Sequence, residues 1–110
     1  MRQFLIDQLS REERANIDSY LKRALKPGPL AGLYWLPVPD DLLAAAQQGH
    51  AACAPFYLAV MLEEEALRFE LLVRSKTNLH CSCIAHATPA QRDFVLAFAD
   101  QLLQEEKIRA

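Results

Sequence analysis

The stretch of sequence that decides the fold runs from Phe56 to Arg74 and reads FYLAVMLEEEALRFELLVR. Its first part, 56–62, is a run of apolar residues of types that favour β-strands. The glutamates at 63–65 are typical of a solvated turn. Over 67–74 apolar side chains alternate with mostly charged ones, the period-two pattern of a strand with one buried face. The stretch therefore predicts two antiparallel strands joined by an acidic turn.

The residues that follow extend this hairpin into a β-meander. The polar sequence SKTN at 75–78 predicts a second turn, and 79–85 predicts a third strand. Because successive side chains of a strand point to opposite faces, the third strand should divide its residues into two sets. One face should carry Leu79, Cys81, Cys83 and Ala85, and the other His80, Ser82 and Ile84.

Capping signals mark a helix on each side of the meander. Ser10 followed by Glu13 matches a capping box, with apolar residues at helical spacing up to Leu25. The sequence KPGP at 26–29 ends that helix because proline cannot continue it. Near the C-terminus, Thr88 at the N-cap, Pro89 at N1 and Gln91 at N3 form a second capping box and predict a long helix over 89–107.

The segment between the first helix and the meander carries weaker signals. Residues 30–39 alternate but contain prolines, which predicts a short extended segment at a sheet edge. Residues 42–48 predict a short helix that ends at Gly49. The chain is thus expected to be one α+β domain over 1–110. It should contain a three- to four-stranded antiparallel sheet, a β-meander, with helices packed mainly on one face.

Composition restricts the functional classes. The chain has 110 residues, 52% of them hydrophobic, and a net charge of −2, with no basic patch for nucleic acid. The N-terminus lacks the continuous apolar core of a signal peptide, and no apolar run is long enough for a membrane span. Three cysteines, an odd number, argue for reduced thiols or metal ligation and against a disulfide framework. These features predict a cytoplasmic protein with neither a membrane nor a nucleic acid as partner.

One group of residues could carry chemistry: His50, Cys53, Cys81 and Cys83. Three thiolates and one imidazole form a recognised ligand set for structural zinc. A tight turn after Gly49 could bring His50 and Cys53 together. The chain entering the sheet at 56 could then bring that turn near the end of the third strand. The group predicts a zinc site as an alternative function.

The spacing of Cys81 and Cys83 opposes this interpretation. In an extended strand, residues i and i+2 have Cα atoms about 6.4–6.8 Å apart. Two sulfurs bound to one zinc ion are at most about 4.6 Å apart, twice the Zn–S bond length. A zinc site therefore requires the strand to kink or to end there. The alternative is that both cysteines are small core residues, since free cysteine is often buried.

Cysteine catalysis is a third interpretation. A nucleophilic thiolate needs a base or a cation beside it. His80 and His86 should point away from Cys81 and Cys83 in a regular strand, so that only His50 is available as the base. The chain also has no C-x-x-C sequence for thiol exchange. The sequence leaves enzymatic activity open and favours a protein without catalysis.

The leading interpretation is a protein that acts through protein contacts, as a homo-oligomer or adaptor. The strand 56–62 is apolar on both faces, and one face includes Tyr57 and Met61. Leu72 and Ile84 should extend that face on the neighbouring strands. If helices cover only the other face, this apolar surface needs a protein partner, either a second copy or another protein. Coverage by the first helix or by residues 30–49 is the alternative.

Overall fold

The computed structural model describes residues 1–110 and contains two α-helices and seven β-strands. In chain order the elements are β1 (Gln3–Ile6), α1 (Arg11–Ala24), β2 (Lys26–Pro27), β3 (Leu33–Pro37), β4 (Phe56–Leu62), β5 (Leu67–Glu70), β6 (Leu72–Ser75), β7 (Ala85–His86) and α2 (Pro89–Glu105). Single turns of 3₁₀ helix cover Asp40–Leu42 and Ala51–Cys53. The α+β class predicted from the sequence is confirmed.

The strands form one open antiparallel sheet. Its main order is β1-β5-β4-β3-β2, and every pair in it is antiparallel. One edge of the central strand β4 pairs with β3, from Leu33 opposite Met61 to Pro37 opposite Tyr57. Its other edge is shared, since the end of β4 pairs with β5 and its beginning pairs with β6. The strand β7 then pairs with β6.

The predicted count of three to four strands is an undercount. The single strand predicted over 67–74 is interrupted at Leu71, whose backbone N–H donates to the carbonyl of Arg2 (2.9 Å). The carbonyl of Leu71 accepts from the N–H of Ala87 (3.0 Å). Leu71 therefore bonds to the residue just before β1 and to the residue just after β7, and not to β4. The short strands β1, β2 and β7 add the remaining members, and two of them have only two residues.

Two other predicted elements do not form as expected. The third strand over 79–85 is wrong, because residues 79–83 lie in turns and only Ala85–His86 pair with β6. The short helix over 42–48 is also wrong. A 3₁₀ turn ends at Leu42, and Ala44 to Gly49 follow in turns. Both errors fall on the two loops that lie beside the beginning of β4.

The helix starts predicted from capping are confirmed. The side chain of Ser10 accepts from the N–H of Glu13, and the side chain of Glu13 accepts from the N–H of Ser10. Thr88 and Gln91 make the same reciprocal pair at the start of α2, with Pro89 in the first turn. These bonds satisfy amides that a helix start otherwise leaves without partners.

Both helices pack on one face of the sheet, as predicted. The core is a cluster of 20 buried residues that includes Ile17 and Leu21 of α1 and Val95 and Leu102 of α2. The ring of Phe98 in α2 contacts the ring of Phe69 in β5 edge-on, with the centroids 6.1 Å apart. Neither helix combines the length and apolar content that a membrane-spanning helix needs.

The opposite, outer face of the sheet carries most of the apolar surface predicted as an interface. Tyr57, Met61 and Leu72 are half-buried and belong neither to the core nor to the side chains packed on it. Ile84 is the exception: it packs against the core, because the chain turns at 81–84 and the expected alternation is lost. The predicted interface therefore keeps three of its four residues on one surface.

Self-association through this outer face stays a prediction. If it occurs, native mass at micromolar concentration should give a dimer or higher oligomer, and Met61→Lys should give monomers because a lysine would have to be desolvated in the contact. Far-ultraviolet circular dichroism should stay unchanged, since Met61 lies outside the core. Val60→Lys, one residue away in the buried core, should instead unfold the protein. A wild-type monomer at micromolar concentration contradicts the prediction.

Candidate metal centre

The first part of the candidate site is a turn from His50 to Cys53. Gly49 precedes it with a φ of +79°, a left-handed conformation that glycine adopts readily. The N–H of Cys53 donates to the carbonyl of His50 (2.9 Å) and closes a single 3₁₀ turn. Residues i and i+3 of such a turn lie above one another, so the two side chains project on the same side.

The second part is a turn from Cys81 to Ile84. The N–H of Ile84 donates to the carbonyl of Cys81 (3.1 Å), which folds the chain back on itself. This turn removes the objection raised by strand geometry, because Cys81 and Cys83 are not two positions of an extended chain. Leu79, expected on the buried face of a strand, is instead 72% exposed.

Hydrogen bonds from the polar segment after β6 hold the two turns together. The hydroxyl of the buried Ser75 donates to the carbonyl of Cys53 and accepts from the N–H of Asn78 (3.1 Å). The hydroxyl of Thr77 donates to the carbonyl of Ala52 (3.2 Å). The start of the Cys81 loop is thereby fixed directly to the His50–Cys53 turn.

Two buried glutamines, one of them in α2, support the site through hydrogen bonds. The amide of Gln47 donates to the carbonyl of Cys83 (2.7 Å), and its oxygen accepts from the N–H of Ala44 (2.9 Å). The amide of Gln91 donates to the oxygen of Gln47 (3.2 Å) and to the carbonyl of Leu42 (2.9 Å). No buried side-chain nitrogen or oxygen lacks a partner, so this polar network is complete.

These contacts bring all four predicted residues together. One ligand atom from each of His50, Cys53, Cys81 and Cys83 lies within 4.8 Å of every other. Nδ1 of His50 is 3.2 Å from Sγ of Cys81. In a tetrahedral zinc site sulfurs are about 3.8 Å apart and a nitrogen is about 3.6 Å from a sulfur, as follows from the bond lengths. Shifts of about 1 Å or less would bring the four atoms to that geometry.

The environment divides the thiols into two kinds. Hydrogen bonds from the backbone N–H and the thiol of Cys83 lower the pKa of the Cys81 thiol to about 6, with Cys53 and His50 acting in the same direction. Burial, together with the neighbouring Cys81 and Cys53, raises the pKa of the Cys83 thiol to about 12. The two shifts favour the thiolate form at Cys81 and the protonated thiol at Cys83.

The two interpretations of the cysteines prove compatible. Cys83 is a buried member of the core cluster, as the alternative interpretation expects, and Cys81 is half-buried and packs against that cluster. Cys53, for which the alternative made no prediction, is also buried in the core. All three are free thiols. The histidines expected to take no part, His80 and His86, are both exposed and lie outside the cluster. The cluster is therefore open to solvent only on the side of Cys81 and His50.

The fold and this cluster together define a small α+β protein with a His/Cys₃ group that could hold a metal ion. Comparison of the chain with protein-family models, with curated proteins and with solved structures finds no match. Any assignment of function therefore rests on the geometry of the chain's own residues.

Proposed function

We propose that the protein binds one Zn²⁺ ion through Nδ1 of His50 and the sulfurs of Cys53, Cys81 and Cys83. The observation that supports this proposal is the approach of all four ligand atoms to within 4.8 Å of one another. Four residues from two separate loops converge there, including every cysteine of the chain. Packing of an apolar core needs no such convergence of thiols and an imidazole.

The ligand set favours zinc over other divalent ions. Soft thiolates select zinc or iron–sulfur clusters, whereas calcium and magnesium require oxygen ligands. Three cysteines and one histidine complete a tetrahedron, which leaves no open position for water or substrate. The site is therefore a structural one, and the protein's chemistry does not take place at the metal.

A cysteine-dependent enzyme accounts for fewer of the observations. The Cys81 thiolate beside His50 resembles a nucleophile and its base, since the two atoms are 3.2 Å apart. None of the five principal cavities is lined by either residue, however. A catalytic pair also leaves the positions of Cys53 and Cys83 unexplained. A metal site explains all four residues.

The metal would connect two loops that regular secondary structure does not hold. Residues 43–55 and 76–84 contain no strand and only one short 3₁₀ turn. Both loops lie where β4 begins, next to the pairing of Phe56 with Ser75. Zinc bound between them would fix this end of the sheet, a role that disulfides play in oxidising compartments.

Elemental analysis of the purified protein tests the proposal. Wild-type protein should carry about one equivalent of zinc, because one complete ligand set is present. Cys53→Ser and Cys83→Ser should each lose the metal, since a serine hydroxyl is a poor substitute for a thiolate ligand. His50→Ala should weaken zinc binding by at least about tenfold in a chelator competition.

The exposed histidines provide the matched controls. His80→Ala and His86→Ala should keep the full equivalent of zinc, because neither side chain belongs to the cluster. Thiol alkylation adds an independent measurement: bound thiolates should resist iodoacetamide until a chelator is added. Zinc-free wild-type protein after reconstitution with excess zinc, or loss of metal in the His80 variant, would overturn the proposal.

A further inference from the structure

Two adjoining cavities lie on the outer face of the sheet, and no residue of the metal cluster lines them. One has a volume of about 190 Å³ and is lined by Trp35, Tyr57, Arg74, Ser75, Lys76 and Leu79. The other, about 240 Å³, is lined by Lys26 and the turn after it together with Trp35, Tyr57 and Lys76. Because three residues line both cavities, they form one depression, called here the Trp35 cleft.

The floor of the Trp35 cleft is a pair of aromatic rings. Trp35 of β3 and Tyr57 of β4 are half-buried, with ring centroids 6.0 Å apart and planes inclined by 47°. The indole lies over Gly28, where any Cβ would come within 3.2 Å of its Nε1 and closer still to Leu33. The exposed Leu79 adds an apolar wall. Such a surface suits a flat ring, which can stack on aromatic faces.

The rim of the cleft is cationic. Lys26 and Lys76 are exposed and make no ion pair, whereas Arg74 is held by two hydrogen bonds to Glu70 (2.7 and 3.1 Å). No aspartate or glutamate lines either cavity, although the chain as a whole has a net charge of −2. The cleft therefore attracts an anion and disfavours a ligand that carries an ammonium group.

Size and charge together favour a small ligand over a polymer. The two cavities combined reach the lower part of the range of about 300–1,000 Å³ typical of small-molecule sites. A single-stranded nucleic acid needs a basic track several nucleotides long. Here the next cation on the outer face along β5, Arg68, is already paired with Glu63. The free lysines of the rim, Lys26 and Lys76, can therefore bind only one anionic group.

We propose that the Trp35 cleft binds a nucleoside monophosphate, with the base against Trp35 and Tyr57 and the phosphate between Lys26 and Lys76. The ring pair supplies stacking without a preference for sequence or for a particular base. The lysines supply charge, and their flexible stems can reach a phosphate from either wall. The metal cluster contributes no residue to this site.

Fluorescence of Trp35, the single tryptophan of the chain, gives a direct test. Adenosine 5′-monophosphate should quench it saturably with a Kd between about 10 μM and 1 mM, and adenosine or inorganic phosphate alone should bind at least about tenfold more weakly. Absence of saturable quenching up to about 10 mM would overturn the proposal. So would adenosine binding as tightly as the monophosphate, because the lysines would then contribute nothing.

Variants separate the two halves of the cleft. Lys76→Gln should weaken monophosphate binding about five- to tenfold and leave adenosine binding unchanged, whereas Tyr57→Leu should weaken both. Lys22→Gln, on the exposed side of α1, is the matched control and should bind like wild type. Equal weakening in Lys22→Gln and Lys76→Gln, or much tighter binding of a single-stranded decanucleotide than of the monophosphate, would contradict the assigned site and ligand.

Discussion

Removal of zinc with a strong chelator should lower the free energy of unfolding by about 4 kcal/mol when the reference sample contains free zinc about a thousandfold above its Kd. The metal can bind only the folded chain in this way, because the four ligands come from residues about 30 positions apart that meet only in the native structure. A ligand that binds only the native state stabilises it by mass action. Urea unfolding with and without chelator measures the effect.

The loss should be concentrated in the two loops. Eighteen of the 20 core residues are not candidate ligands, so the sheet and both helices should stay folded without the metal. Hydrogen exchange should therefore accelerate at the amides of Cys53 and Ile84, which close the two turns, and stay slow at Val60 in the core. Cys83→Ser supplies the control, because a protein without metal should not respond to chelator. A wild-type midpoint insensitive to chelator contradicts a structural role for zinc.

Much of the fold could be predicted because it depends on local pattern. The apolar run over 56–62, the alternation over 67–74 and the two capping boxes arise from residues within a few positions of one another, and each is therefore visible in the sequence. The strand over 56–62 and both helix starts are confirmed, whereas 67–74 forms two strands interrupted at Leu71. The inner face of β4 reads as buried at every second residue from Phe56 to Leu62. This strand is the centre of the sheet.

The elements that could not be predicted depend on distant partners. Gln3–Ile6 becomes a strand only because Glu70 to Leu67 offer it a free edge, about 65 positions along the chain. Leu71 fits an alternating pattern and yet leaves the β4 ladder, because Arg2 and Ala87 supply its backbone partners. The local sequence indicates neither of these backbone pairings, since isolated short strands have little stability of their own.

The candidate site was predictable by residue type and only partly by geometry. His50, Cys53, Cys81 and Cys83 could be selected as candidate ligands because histidine and cysteine are the types that zinc prefers. The turn at Cys81 could not be predicted, because the pattern over 79–85 is typical of a strand. That pattern fails at Leu79, which is exposed in the structure. The supporting residues also escaped prediction. Gln91 was expected only as part of a helix cap, and nothing in the sequence marks Gln47 as buried.

Gln47→Leu should have the second largest effect, on stability and on zinc affinity together. Gln47 is 2% exposed and makes three hydrogen bonds, to Cys83, Ala44 and Gln91. Leucine has a similar volume but removes the side-chain partner of the Cys83 carbonyl and of the Ala44 N–H and leaves Gln91 only its bond to Leu42, which should cost about 2–4 kcal/mol. Loss of the bond to Cys83 also frees the turn that carries two of the ligands. Outer-shell changes of this kind typically lower metal affinity about 10- to 100-fold.

Urea unfolding and chelator competition on the same samples separate these two effects. Gln48→Leu is the matched control: the neighbouring side chain is exposed and makes no comparable bond, so its effect should stay within about 0.5 kcal/mol. A Gln47→Leu protein with reduced stability but wild-type zinc affinity would show that the glutamine network supports the core and not the metal site. A variant with both properties unchanged would show that Gln47 does not hold Cys83 in solution. The expected result, a joint loss, arises because one amide connects α2, the 43–55 loop and the turn that carries Cys81 and Cys83.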